Sequence, residues 1–332
     1  MSGMRIRGRA VARAPASTAN LGPGFDSLGM APSLYTWIDL RPAETTTVTL
    51  LGEGLEGVPA DKTNLVYRAA QLVFREAGAG EPELDIRIRS DIPATRGLGS
   101  SAAAIVGALC AANALIGEAL PRDELFQLAL RMERHPDNVG ACLFGGIVAA
   151  AWDGHRAEAV RLNPPEALEA LVAVPEYELS TAKSRDVLPK RVDFADAVFN
   201  VGQSALLTAA LAAGRLDLLG RAMRDRLHQP YRAQLVPGLE TVLREARSHG
   251  ALAAVLSGAG PAVLVLVDKN TRRRDELERF LREAMQPSGG CTVLWLKPCP
   301  HGAAAVALDE GHPDFRMPPD HLLKPLETGV GA

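Results

Sequence analysis

The stretch at residues 93–104, PATRGLGSSAAA, constrains the fold more than any other part of the chain. Before it, residues 84–90 alternate apolar and polar side chains, which is the period of a half-buried strand. After it, residues 101–116 are apolar on nearly all sides, which predicts a buried helix. The predicted order is strand, glycine-rich loop and helix N-terminus. Glycines let a ligand approach the backbone closely, and the free N–H groups of a first helical turn favour an anion.

A phosphate-binding loop is therefore our first interpretation, and three others compete with it. Gly97-x-Gly99-x-x-Ala102 also fits a dinucleotide fingerprint, but that motif starts directly after its strand, whereas residues 91–96 intervene here. A Walker A loop needs a lysine, and residues 93–114 contain none. The remaining alternative is a glycine-rich turn in front of a core helix, without any ligand.

Charge and composition argue against several classes of protein. The 332 residues carry 36 Lys and Arg against 39 Asp and Glu, a net charge of −3, without a long basic run. This balance argues against a nucleic-acid partner or a membrane surface. Because no segment has 18 uninterrupted apolar residues, we expect no membrane span. The four cysteines lack zinc-ligand spacing and predict free thiols in a reducing, cytoplasmic setting.

The length predicts two domains, with a boundary at the Asn-Pro-Pro segment of residues 163–165. We assign residues 1–163 to an N-terminal domain and residues 164–298 to a C-terminal domain. In the second domain the predicted order of strand, helices, two strands, helix and strand is that of a ferredoxin-like α+β sandwich. Residues 299–332 form a tail that we expect to be loosely packed or draped on the surface.

A second unusual stretch, residues 14–30, places a polar, glycine-rich loop between two strand-like runs. Loops of this kind on a rigid scaffold often carry binding groups, so Asn20 and Asp26 are candidate ligand contacts. Each has a structural alternative, an Asx-turn for Asn20 and a helix cap for Asp26. Residues 64–77 predict an amphipathic helix that Asn64 or the residue before it can cap. A later helix is predicted to end at residues 133–138, because Pro136 disfavours helix in the residue before it. A loop over 176–189 and a helix over 195–212 are also predicted.

Six motifs in chain order carry a resemblance to a known family. They are PASTANLGPGFD at 15–26, PATRGLGSSAA at 93–103, the segment from ERHPDN to GG at 133–146, TAKSR at 181–185, PYR at 230–232 and SGAGP at 257–261. In this order the chain resembles the galactokinase–homoserine kinase–mevalonate kinase–phosphomevalonate kinase (GHMP) superfamily, and within it most closely the homoserine kinase family. The resemblance covers residues 8–297, and Arg134 stands where glycine is usual.

The resemblance implies an α+β fold with an N-terminal α/β domain like ribosomal S5 domain 2 and a ferredoxin-like C-terminal domain. It also implies transfer of the γ-phosphoryl group of ATP to the side-chain hydroxyl of L-homoserine, a step towards threonine. The alternatives are a sister kinase for another small alcohol, such as a mevalonate-type substrate, and a ligand-binding protein without catalysis. A homodimer and a cytoplasmic location are further expectations, with no nucleic-acid or membrane partner.

The ATP and Mg²⁺ sites also follow from the resemblance. Magnesium keeps several waters and takes one or two protein carboxylates, so Ser100 or Ser101 with Glu133 are its implied ligands. The alternative for Glu133 is a solvated carboxylate at a helix end. The implied ATP-binding residues are Pro93, Ala94, Thr95, Arg96, Gly97, Leu98, Gly99, Ser100, Ser101, Ala102, Ala103 and Asn64. Of these, Asn64 matches the region that meets the adenine.

The substrate implied is a zwitterion with a terminal hydroxyl. Its carboxylate would meet Arg185 and Arg232, whose planar forks bind carboxylates bidentately, and its ammonium would meet Asp26. The implied substrate-binding residues are Asn20, Asp26, His135, Thr181, Arg185 and Arg232.

The catalytic residues implied are Glu133, Asp137 and Asn138, and the identity of a base stays open. In relatives similar to mevalonate kinase an aspartate takes the hydroxyl proton, and the motif spacing aligns Asp137 with it. Homoserine kinases are thought to lack a committed base, and in that alternative Asn138 points inward instead.

Overall fold

Three β-sheets with helices packed between and around them form the fold of residues 6–52, 54–55 and 57–324, which the computed structural model describes. The strands are β1 (Arg9–Pro15), β2 (Thr18–Ala19), β3 (Leu28–Met30), β4 (Tyr35–Pro42), β5 (Thr47–Leu51), β6 (Leu84–Ser90), β7 (Ile147–Trp152), β8 (Ala157–Leu162), β9 (Leu168–Pro175), β10 (Ala253–Leu256), β11 (Val263–Asp268), β12 (Cys291–Leu296) and β13 (Ala304–Leu308). The α-helices are α1 (Leu65–Glu76), α2 (Ser100–Leu115), α3 (Arg122–Glu133), α4 (Pro136–Phe144), α5 (Thr181–Asp186), α6 (Phe194–Ala212), α7 (Leu219–Ala222), α8 (Gln229–Arg232), α9 (Leu239–Glu245), α10 (Arg274–Ala284) and α11 (Pro319–Leu322).

The first sheet has the order β13-β1-β4-β6-β5 and carries the glycine-rich loop at the end of β6. Leu84, Ile86 and Ile88 of β6 are buried, as their alternation with polar residues predicts. Helix α2 packs on β1 and β4 beside α1, and it is apolar on all sides because it is buried on all sides. The predicted strand, loop and helix are confirmed, and the loop lies where the sheet meets the N-terminus of α2.

A small sheet of order β2-β3-β7-β8 supports the segment at residues 133–146. Helix α4 packs on β3 and β7. A Cβ added at Gly29 of β3 would lie 2.2 Å from the carbonyl oxygen of Asp137. Glycine at this strand position therefore permits the close approach that fixes the first turn of α4.

The C-terminal sheet, of order β10-β11-β9-β12, is antiparallel throughout and has the ferredoxin-like topology that the element order predicts. Alternate residues of β9 enter two different cores. Ala170 and Val172 join the main core, whereas Leu171 and Ala173 join a second core with residues of α9 and α10. Because both faces of the sheet are covered, its strands are continuous apolar runs.

The expectation of a loosely packed tail is wrong for the part of it that the structure describes. Strand β13 pairs antiparallel with β1 and forms an edge of the first sheet. Further along, the indole nitrogen of Trp37 donates a hydrogen bond of 2.9 Å to the carbonyl oxygen of Leu323. Short apolar strands of this kind are hard to recognise because their partner is far away in sequence. Residues 325–332 lie outside the described residues.

Two helices differ from the sequence analysis. We predicted a loop over 176–189, where the structure has α5, and a helix end at residues 133–138, where α3 ends but α4 begins at once. Pro136 occupies the first turn of α4, where the missing N–H of proline costs nothing. The predicted helix at 195–212 is confirmed as α6. Among the described helices, only α6 is long and apolar enough to cross a membrane. In the 18-residue segment of α6 that meets this criterion, 22% is buried inside the protein.

Candidate active site

Three loops and two short helices enclose a cavity of about 140 Å³ between the two domains. The loops lie between β1 and β3, after β6 and after β10, and the helices are α5 and α8. The start of α2 and the junction of α3 with α4 also line the cavity. The cavity is lined by Ala19, Asn20, Asp26, Thr95, Gly97, Gly99, Ser100, Ser101, Glu133, His135, Asp137, Asn138, Leu179, Thr181, Arg185, Arg232, Gly258, Ala259 and Gly260.

Hydrogen bonds join the three loops to one another. The backbone N–H of Ser17 donates to the carbonyl of Leu98 at 3.1 Å, and the Ser257 hydroxyl donates to the carbonyl of Gly97 at 2.6 Å. Gly97 has a φ of +80°, and a Cβ there would lie 2.4 Å from the carbonyl oxygen of Ser257. The glycine-rich loop is thus held rigidly against the C-terminal domain, and residue 97 must be glycine for two independent reasons.

The N-terminus of α2 forms one end of the cavity, which we name the phosphate end (residues 97–101 and Glu133). Gly99 precedes the helix with a φ of 68° and provides no side-chain cap. Among the described residues no backbone acceptor takes the N–H groups of Ser100, Ser101 and Ala102. These free donors and the positive end of the helix dipole suit an anion such as phosphate.

Glu133 lies at the same end, held by two neighbours. Its Oε2 accepts a hydrogen bond of 2.7 Å from the hydroxyl of Ser101, and its Oε1 lies 3.2 Å from Nδ1 of His135. That contact with the carboxylate raises the pKa of His135 above its ordinary value. The next residue, Arg134, ends α3 with a φ of 60°, a left-handed conformation that favours glycine.

The oxygens of Ser101 and Glu133 match the protein share of a nucleotide-bound magnesium site. No group of three or more His, Cys, Asp or Glu side chains in the described part of the chain could hold a metal ion by itself. Magnesium bound with a nucleotide takes one or two carboxylates, and phosphate oxygens and water supply its other ligands. The donor set therefore fits a metal that enters with the nucleotide, and does not fit an ion held by protein alone.

Asp137 lies between the two ends of the cavity and is 1% exposed. Its Oδ1 accepts the backbone N–H of Asn138 at 2.8 Å, whereas its buried Oδ2 has no hydrogen-bond partner among the described residues. Burial and the nearby carboxylate of Asp26 raise the pKa of Asp137 to about 7. The Asn138 carboxamide instead accepts a hydrogen bond of 3.0 Å from the hydroxyl of Ser17.

The opposite end of the cavity, which we name the charged end, contains Asp26, Arg185 and Arg232. Asp26 and Arg185 form an ion pair of 2.6 Å, with side chains 38% and 36% exposed. Asn20 shapes this loop, since its Oδ1 accepts the backbone N–H of Asp26 and its Nδ2 donates to the carbonyl of Gly258, both at 3.0 Å. The amide of Asn20 is thus already bonded within the protein.

Arg232 differs from Arg185 because it is 1% exposed and fixed on three sides. It donates to the carbonyls of Ser184 and Gly258, each at 3.1 Å, and its Nη1 lies 3.2 Å from Nδ1 of His228. Its Nη2 has no partner within the described residues. Burial and the charge of Arg185 lower the pKa of Arg232 to about 10, which still leaves it charged at neutral pH.

Phe25 organises the two arginines, and the sequence analysis did not select it. The guanidinium groups of Arg185 and Arg232 lie 5.4 and 5.3 Å from its ring centroid, and the ring of His228 stacks on it at 5.1 Å. Such cation–π contacts hold a guanidinium in place without using its N–H donors. The signal was available, because Phe25 stands beside Asp26 in the first motif.

The structure brings most of the predicted site residues together, and their roles stay predictions. The cavity is lined by Asn20, Asp26, Thr95, Gly97, Gly99, Ser100, Ser101, Glu133, His135, Asp137, Asn138, Thr181, Arg185 and Arg232. The residues that do not line it are Pro93, Ala94, Arg96, Leu98, Ala102, Ala103 and Asn64. The lining residues that the sequence analysis did not select are Ala19, Leu179, Gly258, Ala259 and Gly260, three of which lie inside the SGAGP motif.

Asn64 caps helix α1, which is one of the two roles that the sequence analysis allowed for it. Its Oδ1 accepts the backbone N–H of Val66 at 2.8 Å, which caps α1, and its Nδ2 donates to the carbonyl of Pro59. The residue is 1% exposed. The helix-cap interpretation is confirmed, whereas the adenine contact stays a prediction.

Two protein families match this architecture. The family described as GHMP kinases N terminal domain matches residues 64–146, which include the glycine-rich loop and the segment with Glu133 and Asp137. The family described as GHMP kinases C terminal matches residues 207–286. The fold and the rigid anion-binding loop thus define an ATP-dependent kinase of the GHMP superfamily, and the predicted fold class is confirmed.

Individual relatives show to which family of GHMP kinases this chain is similar. The homoserine kinase of Moorella thermoacetica is 45% identical over 295 residues, which is 89% of this chain and 99% of that protein. The homoserine kinase of Deinococcus radiodurans is 48% identical over 83% of this chain and 90% of its own. A crystal structure of homoserine kinase from Cytophaga hutchinsonii superposes with a TM-score of 0.78 at 28% identity, covering 92% of this chain and all of that one.

The chain therefore belongs to the homoserine kinase family. The mevalonate kinase of L. major, at 18% identity and a TM-score of 0.66 over 90% of this chain and 98% of its own, shares the fold alone.

Proposed function

We propose that this protein phosphorylates the side-chain hydroxyl of L-homoserine with ATP and releases O-phospho-L-homoserine and ADP. The observation that carries the proposal is the charged end of the cavity, where an acidic and two basic side chains face the same space as the anion-binding loop. A zwitterionic amino acid needs both signs of charge, whereas a sugar needs neither. Family membership supports the same substrate.

The ion pair between Asp26 and Arg185 matches the charges of such a substrate. Its ammonium group would replace Arg185 at the Asp26 carboxylate, and its carboxylate would take Arg185 together with Nη2 of Arg232. Both side chains of the pair are more than a third exposed, so the ion pair contributes little to stability. The charged groups of a substrate could therefore replace either partner easily. Arg232 is already fixed by the protein, so it would bind the carboxylate without reordering.

The phosphate end would bind the triphosphate through the first-turn N–H groups of α2. Ser101 and Glu133 would hold Mg²⁺, which when bound neutralises charge that develops on the transferred phosphoryl group. The two side chains are 2.7 Å apart, so their oxygens need to separate only slightly to share one ion. Holding the donor and the acceptor in one rigid cavity supplies most of what phosphoryl transfer needs.

Asp137 is our candidate for the proton acceptor. The hydroxyl oxygen of the substrate forms a bond to the γ-phosphorus while the bond to ADP breaks, and its proton passes to Oδ2 of Asp137. That atom is buried and has no hydrogen-bond partner in the part of the chain that the structure describes. Its carboxyl has a pKa raised to about 7, which suits a base at neutral pH. Asn138 is turned towards Ser17 and would position the helix start instead.

The proposal is tested by ADP release with L-homoserine, mevalonate, shikimate and galactose in parallel. We expect turnover with homoserine alone and a phosphomonoester in the ³¹P spectrum of the product. If another alcohol were phosphorylated and homoserine were not, the proposed substrate would be wrong, but the protein would still be a kinase. A homodimer and a cytoplasmic location are also proposed, the latter supported by the four free thiols.

A further inference from the structure

Asn200 is a buried polar residue on the face of α6 that packs into the protein. It is 2% exposed and shares that face with Leu207 and Leu211. Its Nδ2 donates a hydrogen bond of 2.9 Å to the carbonyl of Pro23, and its Oδ1 accepts one of 2.9 Å from the backbone N–H of Arg226. An asparagine amide can donate and accept at the same time. One side chain therefore joins two segments that are far apart in sequence.

The first of these segments is the loop between β1 and β3, which forms part of the charged end. The loop is tightly turned at Pro23, because the N–H of Gly24 donates to the carbonyl of Asn20 at 3.0 Å. Phe25 follows directly, and its ring lies against the guanidinium groups of both arginines of the charged end. The bond from Asn200 to Pro23 therefore fixes the backbone from which the Phe25 ring projects.

The second segment is the turn that leads into α8. The carboxylate of Asp225, whose side chain is fully buried, accepts the backbone N–H groups of residues 227–229 at 2.7–3.0 Å. The N–H of Arg232 in turn donates to the carbonyl of His228 at 3.0 Å. The turn and α8 are thus one rigid unit, so whatever holds the backbone at Arg226 also places Arg232.

Other contacts join the same segments, but Asn200 provides a buried link from α6. The guanidinium of Arg226 pairs with Asp196 of α6 at 2.9 Å, and their side chains are 46% and 33% exposed. An ion pair this exposed contributes little to stability. His228 makes a parallel link to the carbonyl of Gly22 at 2.7 Å, and the amide of Asn200 holds the carbonyl of the next residue.

We propose that Asn200 is a positioning residue for substrate binding at the charged end. It holds the loop of Phe25 and the rigid unit of Arg232 at a fixed separation, so that the ring and the guanidinium are in place before a carboxylate arrives. Asn200 is not among the residues that line the cavity, so it acts through these groups and not on the substrate. The inference rests on the proposed function for the identity of the substrate, whereas the link itself does not.

Steady-state kinetics of Asn200→Ala and Asn200→Asp test the proposal. The first variant removes both hydrogen bonds, and the second keeps an oxygen for the N–H of Arg226 but loses the donor to Pro23. Each should raise the KM for homoserine by roughly 10- to 30-fold. The KM for ATP and kcat should change by less than about three-fold, because the bonds of Asn200 hold the charged end and not the phosphate end.

Asn113→Ala is the matched control, because Asn113 is a buried asparagine with the same pair of bonds in another part of the protein. It is 6% exposed, and its amide joins α2 to Leu120, donating to the carbonyl and accepting from the N–H, both at 2.9 Å. We expect a similar decrease in the urea midpoint of unfolding and no change in either KM. A KM for homoserine that stays unchanged in Asn200→Ala, or KM values for both substrates that rise equally, would overturn the proposal.

Hydrogen–deuterium exchange of the free protein, followed by mass spectrometry, gives a measurement that needs no substrate. Asn200→Ala should exchange faster than the wild type over residues 24–28 and 227–232, whereas Asn113→Ala should not. If the wild type does not phosphorylate homoserine but the exchange is as expected, the proposed substrate is wrong and the positioning role stands. If exchange over both segments is unchanged, the role is wrong whatever the substrate. Asn200→Asp, which loses only the bond to Pro23, gives the same test over residues 24–28 if Asn200→Ala does not fold.

Discussion

The two ends of the cavity differ in whether the backbone or the side chains provide the binding groups. At the phosphate end the binding groups are mainly backbone N–H donors, and glycines hold the loop in place through left-handed backbone at Gly97 and Gly99. At the charged end the binding groups are side chains. Arg232 is fixed there by carbonyls and by His228, whereas Arg185 is held, as far as the described residues show, by the ion pair with Asp26 and the face of Phe25.

This difference separates positions that tolerate substitution from those that do not. A backbone site depends on chain conformation, so most side-chain changes at the phosphate end should have little effect unless they replace a glycine, Ser101 or Glu133. A site built from charged side chains depends on each of them, because each would bind one charged group of the substrate. Substitutions should therefore show steep, substrate-specific losses at the charged end.

Asp137, which lies between the two ends, should give the largest effect. We expect Asp137→Asn to lower kcat by on the order of 10²–10⁴ if this carboxyl accepts the proton. The pKa of Asp137 is raised to about 7, so the carboxylate forms as pH rises through that value. Wild-type kcat should therefore increase with pH up to a plateau above about 7, and the variant should lose this dependence.

His135 is another titratable group in the cavity, and its hydrogen bond with Glu133 raises its pKa above the ordinary value. His135→Gln is accordingly the control, and it should keep the acid limb of the kcat profile. A decrease of less than a few-fold in Asp137→Asn would remove the aspartate from the role of base, and transfer would then proceed without one.

Glu133 is the side chain at the phosphate end that should matter most. Glu133→Gln should lower kcat by on the order of 10²–10³ and raise the Mg²⁺ concentration needed for half-maximal rate, because a charged ligand of the metal is lost. Glu124→Gln, on the same helix α3, is the matched control and should leave both unchanged. An unaltered Mg²⁺ titration in Glu133→Gln would show that the residue is only a hydrogen-bond acceptor for Ser101.

The next prediction concerns His228, which positions Arg232 at the charged end of the cavity. The ring of buried His228 has Nε2 2.7 Å from the carbonyl of Gly22, and its Nδ1 faces Arg232. Burial lowers the pKa of His228, so the neutral ring donates through Nε2 and accepts at Nδ1. His228→Asn keeps an acceptor near Nδ1, whereas His228→Gln keeps a donor near Nε2.

If Arg232 is held for the substrate, His228→Gln should raise the KM for homoserine by roughly 10- to 100-fold, and His228→Asn by much less. The KM for ATP should not change in either variant. The reverse ranking would mean that the bond to Gly22, and thus the shape of the first loop, is the more important of the two.

The same difference between backbone and side-chain groups decides which parts of the site could be predicted from the sequence. Glycine spacing, a helix start and an alternating strand are local patterns, so the strand, loop and helix that form the phosphate end were predictable from residues 84–116 alone. The charged end was not, because nothing local separates Arg185 and Arg232 from the other arginines. Only the resemblance selected them, and it did not select Phe25, which contacts both.

Long-range pairing explains the remaining differences. Strand β13 forms its ladder with β1, almost 300 residues earlier, and no local pattern indicates such a partner. Helix α4 follows α3 after two residues because Arg134 adopts a left-handed conformation, which arginine rarely does. The start of α4 was therefore hidden, although Asp137 and Asn138 lie in its first turn.

Asn64 should give the smallest effect and tests whether the nucleotide side uses side chains at all. Its two polar groups are bonded to Val66 and Pro59 within the chain, so it has the environment of a helix cap. Asn64→Ala should lower the free energy of unfolding by about 1 kcal/mol, measured in urea, whereas Asn64→Asp keeps a capping oxygen and should lower it less. The KM for ATP should be unchanged in both. If both variants instead raise that KM several-fold at unchanged stability, Asn64 contacts the adenine, and the phosphate end depends on side chains more than its geometry indicates.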